Sequence, residues 1–374
     1  MNKKVVLITG ILGQDGATMA EYLLRNTDVE VLGLYRRTTK PNFSNVDSII
    51  DEFISTGMFS LIQGDITDEV SVNDAVCLHK PDYYINFAAN SFVGTSWNHP
   101  VQVFDINTLG VLRALEAIRK YKPTCRFYSA GSSEEMGDVV YSPQDEAHPI
   151  RPRSPYGASK ASARHIVKVY RESYGLYAVH GLLFNHEGIR RGEEFVTRKI
   201  TKGVARIKKA IDKGVAFEPI VLGNLDSKRD WSDAEDFVEG IWRMLNQEKY
   251  RGSNLSPVFW QYDNWLHEYI LSSGKMHTIR QFILEAFKNV NISLKDMSNS
   301  PIVGIKDEKG CAVHYTLEDN TPVITVSDAF YRPAEVQELC GDSSKARKEL
   351  KWKPKVSFEE LVRKMVERDI NLLK

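Results

Sequence analysis

Short apolar runs rich in β-branched and aromatic residues alternate with amphipathic stretches through the first half of the chain. The runs are VVLIT (5–9), VEVLGLY (29–35), FSLIQGD (59–65), DYYINFA (82–88), RFYSAGSS (126–133) and YAVHGLLF (177–184). Between them, helix-like patterning covers 14–26, 69–80, 100–121 and 155–174. Strands alternating with helices of this length predict βαβ units, hence a parallel sheet covered by helices on both faces. Runs 5–9 and 82–88 carry almost no charge, as central strands buried on both sides require. After about residue 185 the rhythm breaks. A charged helix is expected over 195–214, loops and a small sheet over 291–325, and a closing amphipathic helix over 358–373. The aromatic, turn-rich stretch 248–270 reads as an insertion packing Trp260 and Trp265 against the body, with a partner or substrate contact as the alternative.

Composition narrows the function classes. The 374 residues suit two domains, or one large α/β domain with an appended lobe, and Lys+Arg 49 balances Asp+Glu 49, so nothing draws the whole molecule to nucleic acid or an anionic membrane. No apolar run reaches the roughly 18–20 residues a membrane span needs. The opening MNKKVVLITG is too short in its apolar part for a signal peptide. Cys77, Cys125, Cys311 and Cys340 form no CxxC pair, and His99, His148 and His277 show no ligand spacing. A cytoplasmic, metal-free enzyme with a small-molecule substrate is expected.

Residues 5–16, VVLITGILGQDG, place Gly10, Gly13 and Gly16 between a buried strand and a helix. A dinucleotide fold needs such glycines for a tight turn, for close approach of backbone to pyrophosphate, and for close helix–strand packing. The expected fold is therefore α/β, a Rossmann-like doubly wound parallel sheet over 1–184 that includes the helix at 155–174. A smaller C-terminal α/β substrate-binding lobe is expected over 185–374, some of whose segments return to the first domain. Gln14 and Asp15, between the last two glycines, join the cofactor set, as does Ala88 after the fourth strand. The second strand ends Tyr35-Arg36-Arg37-Thr38 without the acid that binds a ribose 2′-hydroxyl. Two guanidinium groups suit a 2′-phosphate, so NADP is favoured over NAD, the bland alternative being a solvated loop. Asp65 and Ile66, after the third strand, sit where such folds flank the adenine.

Ser-Pro-Tyr-Gly-Ala-Ser-Lys (154–160) opens a predicted helix on which Tyr156 and Lys160 share one face. An ammonium beside a phenol favours the phenolate. Upstream, Ser-Ala-Gly-Ser-Ser-Glu-Glu-Met-Gly (129–137) leaves a strand at its carboxyl end, which faces the ligand crevice in a parallel sheet. Ser132 supplies a hydroxyl, and Glu134 a carboxylate on the same side if the backbone stays extended. Glu135 is expected to face solvent. The carboxylate matters because hydride removal needs only Tyr, Ser and nicotinamide, whereas eliminating water also needs a base for C–H.

In these residues and their spacing the chain resembles the extended short-chain dehydrogenase/reductase superfamily and, within it, the GDP-mannose 4,6-dehydratase family. VLITGILGQDG, INFAANS, PRSPYGASK, GLLFNHEGIRRGEEFVTRKI, LGNLDSKRDW and YRPAEVQELCGDSSKARKELKWKP resemble that family's blocks, in order and over nearly the whole length. The resemblance implies NADP as cofactor, GDP-mannose as substrate, a GDP-fucose-type biosynthetic setting and a homodimer or homotetramer. It implies Tyr156 as proton acceptor with Lys160 as its partner, and Ser132 and Glu134 as the hydroxyl and carboxylate of dehydration. It further implies nucleotide-sugar contacts from Ser91, Asn185, Lys199, Arg229, Arg332 and Glu335. The loop Gly188–Gly192 resembles one whose arginines, here Arg190 and Arg191, reach a neighbouring subunit's NADP site. His186, in the same block, reads as structural. The chain departs from the family at Ser132 (usually Thr), Glu135-Met136 (Leu-Tyr), Asn90 (Gln) and Phe92 (His), and in a longer 248–270 stretch. Two alternatives remain: an epimerase or dehydratase for another nucleotide sugar, and a silent NADP-binding scaffold.

Overall fold

The computed structural model describes residues 3–247, 266–297, 306–307, 309–330 and 338–373. The first half follows the apolar pattern: β1 (Val5–Thr9), α1 (Gln14–Asn26), β2 (Glu30–Tyr35), α2 (Asp47–Phe53), β3 (Phe59–Gln63), α3 (Glu69–His79), β4 (Tyr83–Asn86), α4 (Pro100–Phe104), α5 (Gly110–Tyr121), β5 (Arg126–Ala130), α6 (Pro155–Tyr174) and β6 (Ala178–Leu183). The second half begins β7 (His186–Glu187), α7 (Val196–Asp212), β8 (Ile220–Leu222), β9 (Lys228–Arg229), β10 (Ser232–Asp233) and α8 (Ala234–Leu245). It continues with β11 (Tyr269–Leu271), β12 (His277–Thr278), α9 (Ile279–Lys288), β13 (Lys295–Asp296), β14 (Ala312–Thr316), β15 (Pro322–Val326), α10 (Ser344–Glu349) and α11 (Phe358–Leu372).

The main sheet has the order β11-β6-β5-β4-β1-β2-β3, and every neighbouring pair is parallel. The chain winds outward in both directions from β1, so the switch point, where such folds bind ligands, lies at the carboxyl ends of β1 and β4. Strand alternation explains the uninterrupted apolar runs. Val6 and Ile8 face one core with Met19 and Leu23 of α1 and Phe237 and Ile241 of α8. Leu7 faces the other core, with Val76 of α3, Leu115 and Ile118 of α5 and Val167 of α6. Fully burying each such side chain contributes roughly 1.5–3 kcal/mol. A third core joins Ile200 and Val204 of α7, Phe282 and Phe287 of α9, and Leu361 and Met365 of α11 around Trp231 and Tyr315. It lies beside the small sheet β13-β14-β15-β8, the sheet expected over 291–325.

Two expectations need correction. The helix predicted over 100–121 is interrupted by a π-turn at Asp105–Leu109. That wide turn brings buried Asn107 to accept the Asn90 amide at 2.9 Å and to donate to the Ser159 hydroxyl at 3.0 Å, tying the loop after β4 to α6. Of the stretch 248–270, residues 248–265, with Trp260 and Trp265, lie outside the described residues. Its end is no insertion: Tyr269 and Ile270 begin β11, the edge strand paired with β6, and Leu266 is buried. Three apolar residues are too short a run to register as a strand by pattern alone.

Candidate active site

The glycine turn after β1 is built for close approach. Gly10 has φ +70°, and a Cβ there would lie 2.8 Å from the Ala88 amide nitrogen. A Cβ on Gly16 would lie 2.3 Å from the Gly10 carbonyl oxygen. Gly13 caps α1 without any side-chain cap, so the first-turn N–H groups and the positive helix end face the crevice. Arg36 and Arg37 are exposed just past β2, and neither is in a hydrogen bond or ion pair among the described residues. Arg37, Thr38 and Thr39 line a cleft there. Asp65 accepts the Thr67 amide at 2.9 Å in a tight turn, while Ile66 is buried against Gly110. These residues suit a dinucleotide: bare backbone at the turn, an open helix end, and unpaired cations beside it.

At the carboxyl end of β5 the chain passes through Gly131 and Ser132 into a 3₁₀ turn, Ser133–Glu135, in which the Ser132 hydroxyl accepts the Glu134 amide at 3.2 Å. Ser154 caps α6, accepting the Gly157 amide at 3.0 Å, and Pro155 occupies the first turn, where its missing N–H costs nothing. A Cβ on Gly157 would lie 2.4 Å from the Glu134 carbonyl oxygen, so only glycine lets α6 meet the turn this closely. Tyr156 and Lys160 are both buried, and the Lys160 ammonium donates to the Ala130 carbonyl at 2.7 Å. Burial lowers Lys160 to about 8, against the raising effect of Glu135 and Asp15. Burial pushes the Tyr156 phenol well up; a hydrogen bond with Ser132 opposes this, and the charges of Glu134 and Glu135 add to it. The phenol is thus not lowered as the Tyr–Lys spacing suggested. Desolvation dominates, and the ammonium sits 5.9 Å from the ring centroid, engaged by Ala130.

The expectation that Glu135 faces solvent is also corrected. It is fully buried, with its Oε1 accepting the Ser132 amide at 2.8 Å and lying 2.9 Å from His180 Nε2. The cause is the 3₁₀ turn: a tight helical turn, not an extended strand, sends successive side chains in different directions and rolls residue 135 inward.

A feature sequence reasoning read as merely structural lies at the glycine turn. His186 Nε2 is 3.0 Å from an Asp15 carboxylate oxygen, His186 Nδ1 is 2.8 Å from the Phe184 carbonyl, and the ring stacks on Phe237. With an acceptor at each ring nitrogen, the geometry favours an imidazolium. Burial opposes that charge, but the Asp15 carboxylate outweighs it and holds His186 above its ordinary value. Burial likewise raises Asp15, yet His186, Gln14 and Arg191 together hold it at about 2. Gln14 also donates to the His186 carbonyl at 3.1 Å, so β7 is bound to the turn twice. A histidine directly after a strand's carboxyl end was the signal available in the sequence.

The remaining candidates divide. Asn185 accepts the Ser232 amide at 2.9 Å through its carbonyl, linking β7 to β10. The half-buried Lys199 ammonium lies 3.8 Å from the Phe330 ring centroid, and burial lowers its pKa. Arg229 stands on β9, whose partner is β12. Ser91 is exposed after β4, and the next residue, Phe92, meets Phe195 edge-on at 5.8 Å. Arg190 pairs with Glu21 at 2.6 Å and donates to the Asn45 carbonyl at 2.9 Å; Arg191 pairs with Glu187 at 2.9 Å over the Phe195 ring. Both arginines therefore have partners within their own chain. Arg332 and Glu335 lie outside the described residues. Among the described residues, no cluster of His, Cys, Asp and Glu could hold a metal, and no helix is long and apolar enough to cross a membrane.

Comparison with known proteins bears on the family and the fold. The sequence pattern of the family described as GDP-mannose 4,6 dehydratase matches residues 7–365. A GDP-mannose 4,6 dehydratase of Drosophila melanogaster is 40% identical over 377 residues, covering 99% of this chain and 87% of that protein. A GDP-mannose 4,6-dehydratase of Vibrio cholerae is 39% identical over 380 residues, covering 99% of this chain and 94% of that protein. Among solved structures, RMD from Pseudomonas aeruginosa complexed with NADPH superposes with a TM-score of 0.71 at 19% identity, covering 99% of this chain and all of that one. The UDP-glucose 4-epimerase of Thermus thermophilus, complexed with NAD, gives 0.71 at 24% identity and covers 98% of each chain. At such identities the two structures speak for the fold.

Proposed function

This chain belongs to the GDP-mannose 4,6-dehydratase family, and from that premise we propose that it converts GDP-mannose to GDP-4-keto-6-deoxymannose with NADP as a tightly held cofactor. The observation that carries the reading is the meeting of Ser132, Glu134, Tyr156 and Lys160 at the carboxyl end of β5, beside the glycine cradle. Gly10, Gly13 and Gly16 with the first turn of α1 would hold the pyrophosphate, with Gln14, Asp15 and Ala88 around it. Arg36 and Arg37 would hold the 2′-phosphate, Asp65 and Ile66 would flank the adenine, and Lys160 would reach the nicotinamide ribose. When bound, the cofactor would supply hydride chemistry, taking hydride from sugar C4 and giving it back at C6.

The chain's own groups do the rest. Tyr156 takes the proton of the sugar O4, and Ser132 hydrogen-bonds to that oxygen. Lys160, cationic below about 8, offsets the negative charge of the phenolate from which Tyr156 accepts that proton. Once C4 is a ketone, the neighbouring C5–H is acidic enough for Glu134 to remove. The proton Glu134 gains goes to the departing C6 hydroxyl, which leaves as water. The proton held at Tyr156 balances the one C5 finally regains. Ser91, Asn185, Lys199, Arg229, Arg332 and Glu335 are the proposed nucleotide-sugar contacts: cations for the diphosphate, and a carboxylate for the guanine N–H edge.

The purified protein, supplied with NADP and a panel of nucleotide sugars, tests the reading by mass spectrometry. GDP-mannose should lose one water and gain a C4 carbonyl. A product that keeps its C6 hydroxyl would make the chain an epimerase, and turnover of another nucleotide sugar in place of GDP-mannose would move the substrate.

A further inference from the structure

Beneath the catalytic turn lies a buried pair that the reaction above leaves unused. Glu135 and His180 are both fully inaccessible. A Cβ on Gly131 would lie 2.2 Å from His180 Nε2 and 2.6 Å from Glu135 Oε1. The three-residue segment 130–132 is gripped from two sides: the Lys160 ammonium binds the Ala130 carbonyl at 2.7 Å, and Glu135 binds the Ser132 amide at 2.8 Å. His180 holds Glu135 in place at 2.9 Å. Stability does not account for the pair. Glu135 Oε2 and His180 Nδ1 have no hydrogen-bond partner, and apolar side chains of similar volume would fill the space without stranding buried polar atoms.

We propose that Glu135, clamped by His180, is a positioning residue: it fixes the backbone that aims Ser132 and Glu134, and its buried charge governs the proton affinity of the Tyr156–Lys160 pair. This rests on the reading of Tyr156 and Lys160 as the proton-transfer groups. The groups that face Glu135 come from four elements. Tyr156 and Lys160 are on α6, Glu134 on its own turn, Tyr128 on β5 and His180 on β6. His180 in turn faces Glu268, which binds Arg164 at 2.8 Å and Arg171 at 3.2 Å. Asp15 acts on Lys160 and Arg191 on Tyr156 from farther off. Taking away the negative charge at 135 weakens the hold of both Tyr156 and Lys160 on their protons, so both limbs of a pH–rate profile move the same way.

The test is Glu135→Gln, which keeps the shape and an acceptor for the Ser132 amide but removes the charge. The full chain with NADP and GDP-mannose is assayed across pH for kcat and KM. The expected result is a bell moved to lower pH by about one unit, with KM for the sugar changed less than about twofold. A profile that superimposes on that of the unaltered protein overturns the proposal. Should Glu135→Gln fail to fold, the double variant Glu135→Leu with His180→Leu removes the same carboxylate together with both stranded atoms. It is read in the same way: a downward shift supports the proposal, and superposition overturns it. If the unaltered protein ignores GDP-mannose and turns over another nucleotide sugar, only the functional reading fails, and the same profiles on that sugar decide the role of Glu135.

Discussion

Replacing His186 with Gln removes the cation that faces Asp15 at the glycine turn, and the consequence can be worked from the structure. Asp15 is held at about 2, from an ordinary 3.8. That difference corresponds to about 2 kcal/mol of favourable interaction with the folded protein. The raised His186 is the other side of the same interaction and is counted once. The sign follows from the two directions. A depressed carboxyl contributes stability above 3.8 that is lost as pH falls toward 2. A raised imidazole contributes stability that is complete below its ordinary 6.5 and is lost as pH rises through its folded value. Denaturant titration at neutral pH should therefore find His186→Gln less stable by about 2 kcal/mol, and the gap should narrow as pH rises above 6.5 through the raised imidazole value. The variant also leaves the Asp15 carboxylate without its hydrogen-bonded cation in the first turn of α1, where phosphates are expected, so NADP should bind roughly tenfold more weakly. Equal midpoints at neutral pH, or a gap that does not change with pH, would refute the reasoning.

Further outcomes follow from other groups at the site. Arg37→Ala should weaken NADP by roughly 1.5–3 kcal/mol and leave NAD nearly unchanged, as read by calorimetric titration; equal affinities for the two nucleotides in the unaltered protein would sink the NADP assignment. Gly16→Ala should abolish dinucleotide binding, because its Cβ would press within 2.3 Å of the Gly10 carbonyl oxygen; fluorescence titration with NADPH checks this, and near-normal binding would contradict it. Glu134→Gln should cut overall turnover by about 10²–10⁴-fold while C4 oxidation persists, leaving reduced cofactor visible by its near-ultraviolet absorbance. Tyr156→Phe should stop before any reduced cofactor forms, and wild-type dehydration by Glu134→Gln would move the base elsewhere.

The doubly wound sheet was legible because strands buried on both faces must be apolar at every position, as Val6, Leu7 and Ile8 are. The glycine cradle was legible because a missing Cβ is itself the signal. The contribution of later residues to the same sheet was not. β11 has three residues, and α8 covers the main sheet from a position after the lobe has begun, so neither announces its destination by periodicity. Side-chain direction at the catalytic turn was illegible for another reason. Whether Glu134 or Glu135 points inward depends on the 3₁₀ geometry of three residues, and a single residue's rotation reverses the answer. The partners of Arg190 and His186 are 169 and 171 positions away, on α1 and its turn, a pairing only tertiary structure supplies.

Glu135 and Met136 act together in the three-dimensional turn. Glu135 rolls toward His180 and the Ser132 amide, while Met136, also fully buried, goes into a small apolar cluster with Leu182, Phe184, Ile270 and Leu339. An unbranched, polarizable thioether fills an irregular gap of this kind with little strain. That cluster joins the end of β6, the edge strand β11 and the chain just after residue 337. On the far side, Gln144 accepts the Cys340 amide at 2.9 Å and Asp230 accepts the Gly341 amide at 3.1 Å. The catalytic turn is therefore tied through Met136 to the same short segment that Asp230 ties to β9, the strand of Arg229. A polar pair holds the turn from the sheet side and an apolar contact holds it from the lobe side. Residue changes at 135 and 136 thus reach the proposed sugar contacts through packing, without either side chain entering the crevice.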